Sequence, residues 1–249
     1  MPFLSPALFI AKSQTLATAL RFGGVNQRLQ RTLGTGAEFN SANRSKATHS
    51  FWFRVPTLGI FNPIFTSDNG AGGSYIAINS SNKLQIRESD GADLAYRNEQ
   101  SSMTISADTW HHGFVSIDSA RVGTSQVVRI YIDGVLGLAG GVSTIGSSLG
   151  LQSLTHSIGF HANTSTYFDG DLAIMHWVDD VAMEPTDFAD TIDGIYQAKQ
   201  VTPVYGLNGS FLPFADPDNI GSDFDNGWTY TLSNITASDL IGDGPATSY

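Results

Sequence analysis

Along most of this chain hydrophobic and polar positions alternate with a period of two, the spacing that puts every second side chain on one face of a β-strand. Thr48-His49-Ser50-Phe51-Trp52-Phe53-Arg54-Val55 predicts an aromatic-rich strand. Residues 74–79 and 83–87 predict two more, joined by the turn formers Asn79-Ser80-Ser81-Asn82. Residues 110–118 and 127–133 follow, and Asp133-Gly134 suits a tight hairpin turn. Residues 156–160 and 171–178 complete the main set. Short strands separated by Gly, Ser and Asn clusters predict an all-β sandwich or barrel, and an antiparallel two-sheet sandwich is the expected one. Its expected core includes Phe51, Trp110, Ile117, Ile130, Ile132, Ile174 and Trp177. Only residues 185–189, with Glu184 near their start, carry a helical pattern, one or two turns long. Residues 1–16 read as an extended N-terminal arm and 17–214 as the sandwich. Residues 215–249 read as a loop-rich segment packed on it, in which Trp228, Tyr230 and Leu232 alternate.

Composition narrows the functional classes. Charged residues are 14% of the 249, against roughly 25% in ordinary soluble domains, and the net charge is −10. Scattered Lys and Arg on an acidic chain make a poor phosphate binder, so nucleic acid is not an expected partner. Cysteine is absent, which excludes disulfides and thiolate metal sites. No apolar run approaches the ~18 residues of a membrane-spanning helix. The start of the chain lacks a basic stretch and its short apolar run is broken by Pro2 and Pro6, so it makes a poor signal peptide.

Several motifs resemble catalytic or metal sites and fail on context. Gly146-Ser147-Ser148-Leu149-Gly150 has the spacing of a nucleophile elbow, with Asp171 and His176 following in order, but no strand–turn–helix surrounds it. Asp216-Pro217-Asp218-Asn219-Ile220-Gly221 begins like a calcium loop; Ile220 then occupies a ligand position and Gly227 stands where the closing Glu belongs. Asp216, Asp218, Asp223 and Asp225 still place four carboxylates within ten residues. That cluster, or the loop acids Asp68 and Asp169, is the candidate place for a calcium ion; no cofactor is otherwise required. His111 and His112 face opposite sides of a strand, so one is expected to be buried and the other exposed. Retaining glycosidases need two carboxylates about 5 Å apart, and none of Glu38, Glu88, Glu99 and Glu184 has a partner at such a spacing. Asp169 and Asp171 share a strand face, with Gly170 suggesting a turn entry. No catalytic residues are expected. Of the tryptophans, Trp52, Trp110 and Trp177 sit inside alternating strands, where packing accounts for them better than stacking on sugars.

Three stretches carry a family resemblance. Trp110-His111-His112-Gly113-Phe114-Val115-Ser116-Ile117-Asp118 and Val128-Arg129-Ile130-Tyr131-Ile132-Asp133-Gly134-Val135 resemble the laminin-G-like and pentraxin-like branch of the concanavalin A-like jelly rolls. Tyr167-Phe168-Asp169-Gly170-Asp171-Leu172-Ala173-Ile174-Met175-His176-Trp177 is similar to their late core strand. A narrower likeness follows the order Leu20-Arg21-Phe22, Phe51-Trp52-Phe53, Phe168-Asp169-Gly170, Tyr205-Gly206-Leu207-Asn208-Gly209 and Asp243-Gly244-Pro245. This resembles laminin-G-like virion proteins of tailed bacteriophages over about residues 20–249; Ser210 departs from it where those proteins carry an aromatic. The resemblance implies a jelly-roll sandwich and a non-enzymatic structural or accessory virion protein on the particle exterior, assembled in the host cytoplasm with other virion proteins. Capsid decoration or a head fibre is favoured there over a tail fibre, since the chain has no shaft. The alternative is a lectin-like adhesin that attaches the particle to host-surface glycan. A homo-oligomer, a trimer, is expected, because Phe3, Leu4, Leu8, Phe9 and Ile10 form an apolar arm suited to a neighbour's sheet edge.

Overall fold

The computed structural model describes residues 15–32, 46–68, 73–89, 95–118, 127–140, 155–206, 208–224 and 227–247. Its strands begin with β1 Thr15–Leu16, β2 Ala19–Gly23, β3 Arg28–Thr32, β4 Lys46–Arg54, β5 Asn62–Asp68, β6 Gly73–Ile78 and β7 Leu84–Ser89. They continue with β8 Ala95–Gln100, β9 His111–Asp118, β10 Val128–Ile132, β11 Val135–Gly140, β12 Thr155–Ile158, β13 Phe160–His161 and β14 Thr166–Tyr167. The chain then forms β15 Asp169–Asp179, β16 Ala189–Ile192, β17 Ile195–Ala198, β18 Ser210–Leu212, β19 Thr231–Ser233, β20 Leu240–Ile241 and β21 Ala246–Thr247.

Two large sheets face each other. One has eight strands in the order β11-β10-β9-β4-β15-β2-β20, with β18 also on β15; the other has seven, β19-β3-β12-β5-β6-β7-β8. Among the described residues every pairing within both sheets is antiparallel. The core lies between them. Phe51, Phe53, Val115, Ile117, Ile130, Ile132, Leu172 and Trp177 of the first sheet meet Leu29, Ile64, Phe65, Ile76, Ile86 and Ile158 of the second in one buried cluster. The β10–β11 hairpin turns at Asp133-Gly134, both at positive φ (51° and 76°), which is the turn that Asp-Gly favours because its twist matches the strands.

The eight-stranded sheet departs from simple alternation. All eight residues of β9 are buried, as are the seven inner positions of β4. A strand with one wet face would alternate, so both faces of this sheet are covered. The second cover is a four-stranded sheet, β1-β21-β17-β16, in which β17 and β21 run parallel. Its Ala189 and Ala198 pack with Ala19, Trp52, Ala173 and Ile174 in a second cluster, with Tyr196 against it. A bulge in β15 between Ala173 and His176 makes this possible. Ile174 sits there at φ 48°, a costly conformation for a β-branched residue. The bulge turns Ile174 to the outer face beside Ala173 and returns His176 to that same face.

Several expectations change accordingly. Trp110 is half-buried on the outer side rather than in the core; its indole Nε1 donates to the Asp243 carbonyl at 3.0 Å and its face carries the Arg54 guanidinium at 5.0 Å. Ile174 is buried, but in the outer cluster. His111 and His112 are both buried, because the second cover reaches the face that alternation leaves wet. Gly170 is no turn entry: it lies inside β15, where a Cβ would sit 2.3 Å from the Arg54 carbonyl oxygen. The helical segment is a single 3-10 turn, Pro185–Asp187, closed by reciprocal hydrogen bonds between Glu184 and Asp187. Tyr230 is buried, Trp228 half-buried and Leu232 exposed. The apolar arm residues Phe3, Leu4, Leu8, Phe9 and Ile10, and the segment Gly146 to Gly150, lie outside the described residues.

Candidate functional site

The outer face of the eight-stranded sheet is built from rings and hydroxyls. His112 shares a hydrogen with Ser50 Oγ through Nε2 at 2.8 Å and with the Tyr196 hydroxyl through Nδ1 at 3.0 Å. Asp133 accepts from the His112 amide at 2.7 Å and pairs with His111 Nδ1 at 2.7 Å. The Ser–His–Tyr series has nucleophile–base spacing, yet Ser50 is 1% exposed. It fastens the small sheet to the large one.

Farther along β15 the cover opens. A cleft of about 550 Å3 lies over Ile174, His176 and Phe211, bounded by residues 199–202, Thr18, Pro213, Asp216 and Phe224. The Phe211 ring lies on the His176 imidazole at 4.3 Å with planes 3° apart. The Tyr205 hydroxyl holds His176 Nδ1 at 2.6 Å. Phe224 meets Phe211 edge-on at 5.9 Å and is 76% exposed, an unusual state for a large apolar ring. Burial pushes the His176 pKa down to about 3, with His112 adding a smaller repulsion. The imidazole is therefore neutral and serves as an aromatic platform.

Of the run Tyr205 to Gly209, in which Leu207 lies outside the described residues, Tyr205, Gly206, Asn208 and Gly209 position this floor. Asn208 donates from Nδ2 to Asp179 Oδ2 at 2.9 Å, and burial raises the Asp179 pKa. Gly206 has φ 74° and runs against Asp179, where a Cβ would lie 2.8 Å from the carbonyl oxygen. At Gly209 a Cβ would lie 2.0 Å from the Tyr205 carbonyl oxygen and 2.6 Å from that of Trp177. The motif clamps the chain to the end of β15, then releases it as β18 with Phe211 facing the cleft. Ser210, buried, shares a hydrogen with the Tyr230 hydroxyl at 3.1 Å instead of supplying a ring.

The acidic candidates take separate partners. Asp216 lines the cleft and accepts from the Asp218 amide and from Asn219 Nδ2, both at 2.9 Å. These bonds hold its carboxyl below the usual range, that of Asn219 first. Asp218 is exposed; Asp223 is buried and accepts from the Phe211 amide at 2.8 Å. Asp225 lies outside the described residues. Asp68 ends β5, opposite Thr155 and Gly73. Asp169 is half-buried and lines a polar hollow of about 300 Å3 with Arg21, Arg54, Asp108 and Asp171. There Asp171 holds Arg21 at 2.9 Å and Arg54 at 2.8 Å, and Arg54 also holds Asp243 at 2.8 Å. Among the described residues no three His, Asp or Glu side chains gather as a metal site. Sequence reasoning missed the cleft: the aromatic pair Phe211 and Phe224, thirteen positions apart, was its one local signal.

Comparison with known structures supports the fold. A pentraxin from Limulus polyphemus is similar over 88% of this chain and 95% of its own, at 14% identity and a TM-score of 0.50. A candidate carbohydrate-binding protein from Bacteroides ovatus is similar over 93% of this chain and 61% of its own, at 15% identity and a TM-score of 0.54. The CBM40 domain of the Ruminococcus gnavus IT-sialidase is similar over 69% and 93%, at 8% identity and a TM-score of 0.52. No curated protein sequence matches. The laminin-G-type profile of the concanavalin A-like lectin/glucanases superfamily matches residues 32–186, which span β4 to the 3-10 turn and hence most of both large sheets; the chain belongs to that superfamily.

Proposed function

We propose that this chain is a non-catalytic glycan-binding domain that works as an adhesin on the exterior of a tailed-phage virion, with the cleft over His176 and Phe211 as its binding site. The observation that carries the reading is the solvent-open aromatic floor. Sugars bind where a ring takes their C–H face and nearby polar groups take their hydroxyls, and an exposed Phe224 beside a stacked Phe211 offers that chemistry. The placement on a virion rests on the sequence likeness described above, and the cleft turns the balance there from decoration toward attachment. The fold is in keeping with it, since a sandwich is a rigid support for a surface site.

The first test is glycan-array binding by the purified full chain, followed by titration of the best ligand. Binding weakened at least tenfold by Phe211→Ala is expected. An array that stays blank with folded protein overturns the glycan reading. For the virion placement, labelling with an antibody raised against the chain marks the outside of intact particles, and unlabelled particles overturn it.

A further inference from the structure

We infer that the cleft selects a neutral pyranose, seated by its C–H face on Phe211 and Phe224, and discriminates against the same sugar carrying a carboxylate. This rests on the glycan reading and adds the ligand class. The floor is apolar where a sugar ring would lie: Ile174, Val201 and Pro213 surround the aromatic pair. Besides the Tyr205 hydroxyl, which is held on His176 Nδ1, the ionisable side chains lining the cleft are His176, Lys199 and Asp216. His176 is neutral and buried under Phe211. The Lys199 ammonium donates to the Thr186 carbonyl at 2.8 Å. Asp216 is held ionised at the rim by its two hydrogen bonds. A carboxylate sugar thus meets Asp216, a fixed anion, and a chain of net charge −10, against one lining cation, Lys199, whose ammonium is oriented by the Thr186 carbonyl and keeps two further donors. A hydroxyl meets no such penalty, since Asp216 retains acceptor capacity for it. The guanidiniums that would suit an anion, Arg21 and Arg54, stand in the separate polar hollow and are held by Asp171 and Asp243.

The volume agrees with a short oligosaccharide end, as small-ligand sites span roughly 300–1,000 Å3. The strained bulge has a place in this account: at φ 48° Ile174 faces outward and forms part of the apolar floor.

The test uses the full chain and pairs of methyl glycosides that differ only in a 6-hydroxymethyl against a 6-carboxylate, titrated by calorimetry at low salt. The neutral member is expected to bind at least tenfold more tightly. Phe224→Ala, at an exposed ring, is expected to weaken the neutral sugar about tenfold with melting temperature unchanged. Asp216→Asn, which keeps the acceptor for the Asp218 amide, is expected to narrow the gap within the pair severalfold. Equal or tighter binding of the carboxylate sugar overturns the inference while leaving the glycan reading standing. Neutral-sugar binding that Phe224→Ala does not change overturns the assignment to this cleft. Binding of neither member, nor of any glycan on an array, removes the glycan reading itself.

Discussion

The two faces of the eight-stranded sheet are both buried, by different chemistry. The inner face meets the opposing sheet through Phe51, Phe53, Val115, Ile117 and Leu172, and its stability scales with apolar area removed from water. The outer face carries Ser50, Trp52, His112, Ala173 and His176 on the same strands, and its polar rings are satisfied one by one: His112 by Ser50 and Tyr196, His176 by Tyr205. An apolar face needs only complementary shape. A face of imidazoles and hydroxyls must be matched atom by atom, because an unpaired buried polar group costs about 1–3 kcal/mol. It can also be left uncovered where the match ends, and the cleft lies there.

Acid distinguishes ring burial from apolar burial most strongly. Burial pushes the pKa values of His112 and His176 on the outer face down to about 4 and about 3, and that of His49, a ring on the inner face between Phe65 and Trp177, down to about 3. In the unfolded chain each ring takes a proton near pH 6.5 while the folded chain refuses it, so stability held above that pH is lost as pH falls toward 4 and then 3. The expected loss is on the order of a few kcal/mol per ring. Asp179, raised by burial, works in the opposite sense, since the folded chain takes its proton first. Denaturant unfolding at about pH 7 and about pH 4.5 measures the sum, and equal stabilities would show that the rings are not buried neutral.

Phe53→Ala breaks the inner face alone. Phe53 is fully buried, so a loss of about 3–5 kcal/mol is expected, read as a melting temperature roughly 10 °C lower with an unchanged acid dependence. Gly209→Ala tests the clamp that holds the outer floor. The added methyl overlaps two carbonyl oxygens, and a destabilisation of about 1–3 kcal/mol with weakened glycan binding is expected. Wild-type stability in that variant would mean that the clamp is loose. The smallest effect on stability belongs to Phe224→Ala: within about 0.5 kcal/mol by thermal melting, because the ring is mostly in water.

The inner face was readable in advance, strand by strand. The alternation in Thr48 to Val55 and in Trp110 to Asp118 anticipated β4 and β9, and Phe51, Ile117, Ile130, Ile132 and Trp177 are buried between the sheets. Trp110 was misplaced because a tryptophan at the start of a strand alternates equally well whether it faces the core or Arg54. Ile174 is buried as expected but against the second cover, because the bulge in β15 adds one residue to the outer face before Trp177 turns inward. Alternation leaves one of His111 and His112 wet, and both are buried, because it says nothing about a third layer.

Local patterns set the class of the fold, most members of the inner core and the Asp133-Gly134 turn, since each depends on neighbours one to three positions away: a period of two, or a pair of residues that tolerate positive φ. Tertiary structure alone decided the cleft. Thr18, Ile174, Val201, Phe211 and Phe224 come from β15, β18 and three connecting segments, and no local pattern couples residues so far apart. It also decided the fate of the acids: Asp216 and Asp223, seven positions apart, close separate hydrogen bonds on different backbones. Carboxylates count as a cluster in sequence by spacing, and in space only by where the chain carries their oxygens.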